Sequence, residues 1–176
     1  MTPEPAPSTG PDADDLARQA RTLAQAHPLS PLAGQFVNNS VTEQSAAQPE
    51  KPEIGAWAGA CLTNGYCLRR VEENQAGLVL QVQPDVAVDV DALGAEASRI
   101  SADMRLSGSG VRFLIEEDDV VGALDRIIHS EVSRRLDNLR NAIDKEAALE
   151  IEEFLTWWTV QGYALRLAEQ ETGILA

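Results

Sequence analysis

Two cysteines, two histidines and a few knots of carboxylates are the residues of this chain whose types could do chemistry. Cys61 and Cys67 stand six positions apart, so on a helix they fall on different faces and share neither a metal nor an internal bridge. Zinc sites typically leave about two to four residues between paired ligands and add a second pair, which is missing here. Arg69 and Arg70 beside Cys67 are the groups that would lower a thiol pKa, but buried structural thiols are the simpler reading. His129 follows Asp125 by one helical turn, the spacing of a carboxylate–histidine acid–base pair. It falls off the apolar stripe of its segment, which reads instead as a solvated flank. His27, just before Pro28, reads as an exposed helix-end residue. No Gly-x-Ser-x-Gly elbow presents a nucleophile, and no paired Glu-x-x-His motifs build a di-metal site in a bundle.

The acids invite a cation and then explain themselves without one. Glu116 to Asp119, and Asp85 with Asp89 and Asp91, could offer oxygen ligands to Mg2+ or Ca2+, but neither group has the spacing of a calcium-binding EF-hand loop. Four acids in a row suit the positive end of a helix dipole. Gly108-Ser109-Gly110 lacks the Lys-Ser/Thr that completes a P-loop, and Arg112 beside it is a weak nucleotide contact at best. The sequence thus points to no metal, no cofactor and no particular reaction.

Charge narrows the partners. A net charge of −14 over 176 residues repels the phosphate backbone of DNA or RNA and disfavours anionic membrane surfaces. No run reaches the roughly 20 apolar residues of a membrane span, and no charged-then-apolar leader opens the chain. Two cysteines make no disulfide framework, so the expected location is the cytoplasm. Residues 1–53 hold seven acids and three bases, which leaves most of the acidity to the rest of the chain.

The elements that must position these residues divide the chain at about residue 52. Residues 1–52 read as a disordered tail, Pro-, Ser- and Thr-rich at its start, with a possible short helix over 12–26 and linker over 28–52. Residues 53–176 read as a single helix-rich globular domain. Residues 54–74 are a helix with a seam of Ile54, Trp57, Cys61, Leu68 and Val71, or else a hairpin turning at Asn64-Gly65; the alanines and glycines favour helix. Gly55 and Gly59 would share a face suited to close packing. Strands are expected over 78–83 (LVLQVQ), 85–90 and 111–115, with a helix over 91–104 between them. A long helix follows, striped by Val121, Leu124, Ile128, Val132, Leu136, Leu139 and Ile143, with a break near 141–144. Helices 119–141 and 144–171 then form an antiparallel hairpin, folded back in one chain or exchanged between two. No internal repeat is evident. The fold class expected is α+β, mainly α: a small two- or three-stranded sheet covered by about four helices, ending in a C-terminal helical hairpin.

The stretch from Phe154 to Ala168 suggests what such a domain does. Wound as a helix it shows one apolar stripe through Phe154, Trp158 and Leu165 and another through Trp157, Val160, Ala164 and Leu167. Gly162 either marks a kink or lets another backbone approach. Such a helix is the centre of a bundle, or it closes the core with one face and meets a second chain with the other. The first reading of function is a non-enzymatic interaction, regulatory or adaptor module. It self-associates as a homodimer or holds a protein partner through Trp157, Trp158, Val160 and Tyr163. The alternative is a small-molecule or enzymatic site between sheet and helices, lined by Trp57, Tyr66 and Phe113, with Arg69 or Arg112 meeting an anionic group.

Overall fold

Four short polar side chains set where helices begin. Asp12 accepts a hydrogen bond from the Asp15 N–H and starts α1, Ala13–Gln25. Ser30, followed by a proline at the first helical position, accepts from the Ala33 N–H and starts α2, Pro31–Ala47. After α3, Glu53–Gln75, Asp89 accepts from the Ala92 N–H and opens α4, Val90–Leu106. Acids crowd the first turn of α5, Glu117–Asp137. Asp144 caps α6, Lys145–Glu171, through the Ala147 N–H. The computed structural model describes residues 12–26, 29–106, 112–137 and 143–176.

The expected α+β class is wrong: among the described residues the chain is all-helical and has no sheet. The stretch 78–83 is extended, but among the described residues its one bridge joins Val82 to Leu175 near the C-terminus. Gln81 exchanges hydrogen bonds with Ala176, and the Gln83 N–H donates to the Ile174 carbonyl. Residues 85–89 form no strand, nor do 112–115, the described part of the third expected strand. Apolar β-branched runs favour extended backbone, but a ladder needs an adjacent partner, and Val79 and Val82 are instead left exposed.

Residues 31–47 are not linker. They form α2, which lays Ala33 and Val37 into the core against α3. The tail expected over 1–11, His27, the Gly-Ser-Gly loop and the break at 141–142 lie outside the described residues. The stripe expected on α5 is turned by about one residue: Val120, Ala123, Leu124 and Ile127 face inward, whereas Val121 is exposed. The rotation arises because α5 packs chiefly on α1 and because Glu131 and Arg135, charged but buried, sit on the inner face.

α3 and α6 form the axis of the bundle and run in the same direction. Ile54 and Trp57 lie with Ile151 and Phe154, Leu62 with Gly162, and Glu73 with Arg166. A Cβ on Gly65 would overlap the Thr159 carbonyl and stand 2.8 Å from the Tyr163 nitrogen; one on Gly162 would overlap the Leu62 carbonyl and stand 2.8 Å from the Leu62 carbon. Both contacts are far inside van der Waals range, so the two glycines are what lets the backbones meet. Gly162 therefore marks an approach.

This reciprocity exposes a repeat that went unseen in the sequence. Residues 64–73 (NGYCLRRVEE) and 161–170 (QGYALRLAEQ) share Gly, Tyr, Leu, Arg and Glu at five of ten positions. Residues 12–20 (DADDLARQA) and 89–97 (DVDALGAEA) share a capping Asp, a second Asp, and the buried Leu and Ala of α1 and α4. The described residues thus form two three-helix units, α1–α3 and α4–α6, related by an approximate two-fold axis between α3 and α6. The packing agrees: α1 on α3 matches α4 on α6, α2 on α3 matches α5 on α6, and α1 on α5 matches α4 on α2.

Candidate functional site

The Gly-Tyr-x-Leu-Arg-x-x-Glu motifs place the same three polar side-chain types, Tyr, Arg and Glu, twice around the crossing. Arg166 Nη1 donates to the Tyr66 hydroxyl at 2.9 Å and Arg69 Nη1 donates to the Tyr163 hydroxyl at 3.0 Å. Each guanidinium also lies over the ring it bonds, 5.3 and 5.7 Å from the centroid. Glu72 accepts from Arg69, from the Tyr163 hydroxyl and from the Leu114 N–H. Its counterpart Glu169 accepts from the Ser30 hydroxyl at 2.5 Å and lies 3.8 Å from Arg166. All six side chains are buried.

Burial governs how these groups hold protons. It pushes the Tyr66 hydroxyl up to about 12, with the Glu169 carboxylate adding to the rise, and it lifts Tyr163 well above the ordinary phenol range. Burial raises Glu169 too, against the opposing pull of Ser30, Tyr66 and Arg166. Burial alone would lower Arg166, but its bonds to Glu73 and Tyr66 hold it above its usual value. The tyrosines are therefore neutral hydroxyls and Arg166 is a fixed cation.

The two halves then differ. Arg166 grips Glu73 through Nε at 3.0 Å and Nη2 at 2.8 Å. The residue equivalent to Glu73 in the second half is Gln170, which is exposed. Arg69 correspondingly has no such grip, and its Nε is buried without a hydrogen-bond partner among the described residues. Beside it opens a cleft of about 620 Å3 between α4, α6 and the segment before α5.

The outer packing differs in the same sense. α2 lies so close to α3 that a Cβ on Gly55 or Gly59 would clash with Val41 or Ser45. The equivalent positions on α6 are Glu152 and Thr156, and a hollow of about 770 Å3 separates them from α5. Ala60 corresponds to Trp157, which is half-buried. Trp157 packs edge-on against Trp158, 4.6 Å between centroids, above an open depression with Leu149 and Phe154.

The residues expected to anchor a partner are thus split. Tyr163 is wholly enclosed and Trp158 is buried, whereas Trp157 and Val160 are half-buried. The residues expected to line a pocket are split as well. Arg69 donates to the Arg112 carbonyl at 3.1 Å, and Phe113 lies 6.3 Å from the Tyr163 ring, so these gather at one end of α3. Tyr66 belongs to the buried network, and Trp57 lies at the other end of α3 under Arg135. Among the described residues there is no sheet for a pocket to lie against.

Sequence reasoning missed the ionic interior: charges spaced three and four apart look like a solvated helix face. The repeated Gly-Tyr-x-Leu-Arg-x-x-Glu was the signal that could have found it. His129 and Asp125 are exposed in the α5–α6 hollow and make no bond to each other. Burial pushes the Cys61 thiol up to about 11 and the Cys67 thiol to about 12, the latter against Arg70 and Arg166, so neither is a nucleophile near neutral pH. Among the described residues no three His, Cys, Asp or Glu side chains gather as metal ligands, and no helix is long and apolar enough to cross a membrane. Comparison with protein-family models, with curated proteins and with solved structures finds no match.

Proposed function

We propose that this protein is a non-enzymatic, cytoplasmic binding module that holds a protein partner on the N-terminal half of α6. The observation that carries this reading is the open side of that helix. Leu149 is 59% exposed, and Phe154 and Trp157 are half-buried around a depression rimmed by Glu150, Glu152 and Glu153. A tryptophan at the centre of an apolar depression is the usual form of an interface hot spot. The acidic rim favours a partner segment that is apolar with basic flanks. It disfavours a symmetric pair of copies of this chain, which would set two such rims face to face.

Titration followed by tryptophan emission tests this. Two helical peptides share one Leu-rich face, one flanked by lysines and the other by glutamates. The lysine-flanked peptide should bind saturably and more weakly as salt rises, and Trp157→Ala should abolish binding without unfolding the protein. Equal binding of both peptides, or binding that survives Trp157→Ala, would remove the support for this surface. A homodimer that dissociates on Trp157→Ala would replace the foreign partner with a second copy.

A further inference from the structure

The geometry points to the cleft beside Arg69 as a binding site for a small apolar carboxylate, whose charged end takes the place that Glu73 fills in the other half. The repeat makes this comparison possible. Arg166 and Arg69 are equivalent, each bonding a tyrosine across the α3–α6 crossing. Arg166 completes its guanidinium with the Glu73 carboxylate, whereas all three hydrogen bonds of Arg69 run from Nη1 and its Nε has none among the described residues. The nearest carboxylate oxygen to that Nε, from Glu73, is 3.9 Å away and belongs to a group already bonded to Arg166. Arg69 is 2% exposed, so water does not freely make good the deficit.

Where the missing carboxylate would stand, the second half has Gln170 and open space. Arg112, exposed on the rim, makes no ion pair among the described residues and supplies a second cation. Leu78, Ile100, Leu114 and Leu167 form the apolar walls, which gives the ligand a hydrocarbon body. The volume of about 620 Å3 falls in the range of small-molecule sites. The remaining rim cation, Arg99, is already held by Glu96 and by Asp103 at 3.1 Å, and Glu171 also lies on the rim. Those acids would repel a phosphate dianion, so the site suits a monoanion.

The two halves also differ in what meets the buried glutamates. Ser30, at the start of α2, reaches Glu169 where the second half has only the Leu114 backbone on Glu72. Of the two equivalent arginines, only Arg69 has an unbonded Nε among the described residues.

Hexanoate and its neutral isostere hexanamide are the probes, with methyl NMR shifts of Leu78, Ile100, Leu114 and Leu167 in the full chain as readout. Hexanoate should shift these methyls saturably, and hexanamide should bind at least about tenfold more weakly, the scale of one lost charge-assisted hydrogen bond. Gln170→Glu restores the carboxylate of the other half and should abolish hexanoate binding in a protein that still folds. Arg112→Gln should weaken it about tenfold on the same grounds. No saturable shift, equal binding of hexanamide, shifts confined to the Trp157 depression, or undiminished binding to Gln170→Glu would each overturn the assignment. None of these results depends on the peptide-binding surface at the other end of α6.

Discussion

The first three helices close their half of the molecule and the last three leave theirs open. In α1–α3, Gly55 and Gly59 let α2 pack closely on α3, and Glu73 completes Arg166. In α4–α6, Glu152 and Thr156 stand where the glycines were, Trp157 where Ala60 was, and Gln170 where the carboxylate was. The shared core of the two halves, with its Gly-Tyr-x-Leu-Arg-x-x-Glu pair, is unchanged. A duplicated unit needs that core to fold, so the positions where the copies diverge are free to serve binding. Both open sites lie on α6, one near each end.

Substitutions at the shared crossing should be among the costliest and affect both halves alike. Gly65→Ala and Gly162→Ala each place a Cβ inside the opposing backbone, and each should lower unfolding free energy by about 3 kcal/mol or more, measured by urea denaturation. A loss below about 1 kcal/mol for either would mean the helices can separate at little cost, and the two-fold packing would be misjudged.

The arginines should separate the halves. Arg166→Met strands the Glu73 carboxylate in the interior and should cost roughly 3–5 kcal/mol. Arg69→Met should cost less, because Glu72 keeps the Tyr163 hydroxyl and the Leu114 N–H. Equal losses would erase the asymmetry on which the Arg69 cleft rests.

Glu169 gives a pH signature confined to the closed side. Its carboxyl is raised in the fold above the roughly 4.3 of an unfolded glutamate, so between those values the folded chain holds more protons than the unfolded one. The contribution to stability is full below that lower value and is lost as pH rises through the folded one. Glu169→Gln should flatten this decline in denaturation curves taken across pH, and an unchanged slope would assign it elsewhere.

The smallest effect on stability is expected on the open side. Trp157→Ala should cost only about 1 kcal/mol, the scale of a partly exposed side chain, while abolishing peptide binding. A loss of several kcal/mol would make Trp157 a core residue.

Much of this arrangement could be read from residues, and the part that could not has physical reasons. Helix starts at Asp12, Asp89 and Asp144 follow from short acceptors that satisfy free N–H groups, a local effect. The seam of α3 is legible because Ile54, Cys61, Leu68 and Val71 repeat at helical spacing. The strand expected at 78–83 and the described part, 112–115, of the next one failed because pairing is a long-range matter that local propensity does not report. The two apolar stripes of α6 were legible, but the second partner of its C-terminal half is the other copy within the same chain. Tyr163, expected to meet a foreign partner, meets Arg69 and Glu72 instead. Of the candidate pocket, Arg69, Arg112 and Phe113 come together, because the segment before α5 folds over the end of α3. Trp57 does not join them, lying some ten residues earlier on a rigid helix.

The most direct test of the account is native mass spectrometry of the protein isolated from its own host, for the wild type and Trp157→Ala side by side. The account predicts the 19.0 kDa chain bound to a second, basic polypeptide in the wild type, and the bare chain in the variant. A bare monomer in both, or a homodimer in both, would contradict the claim that the open side of α6 exists to hold a partner.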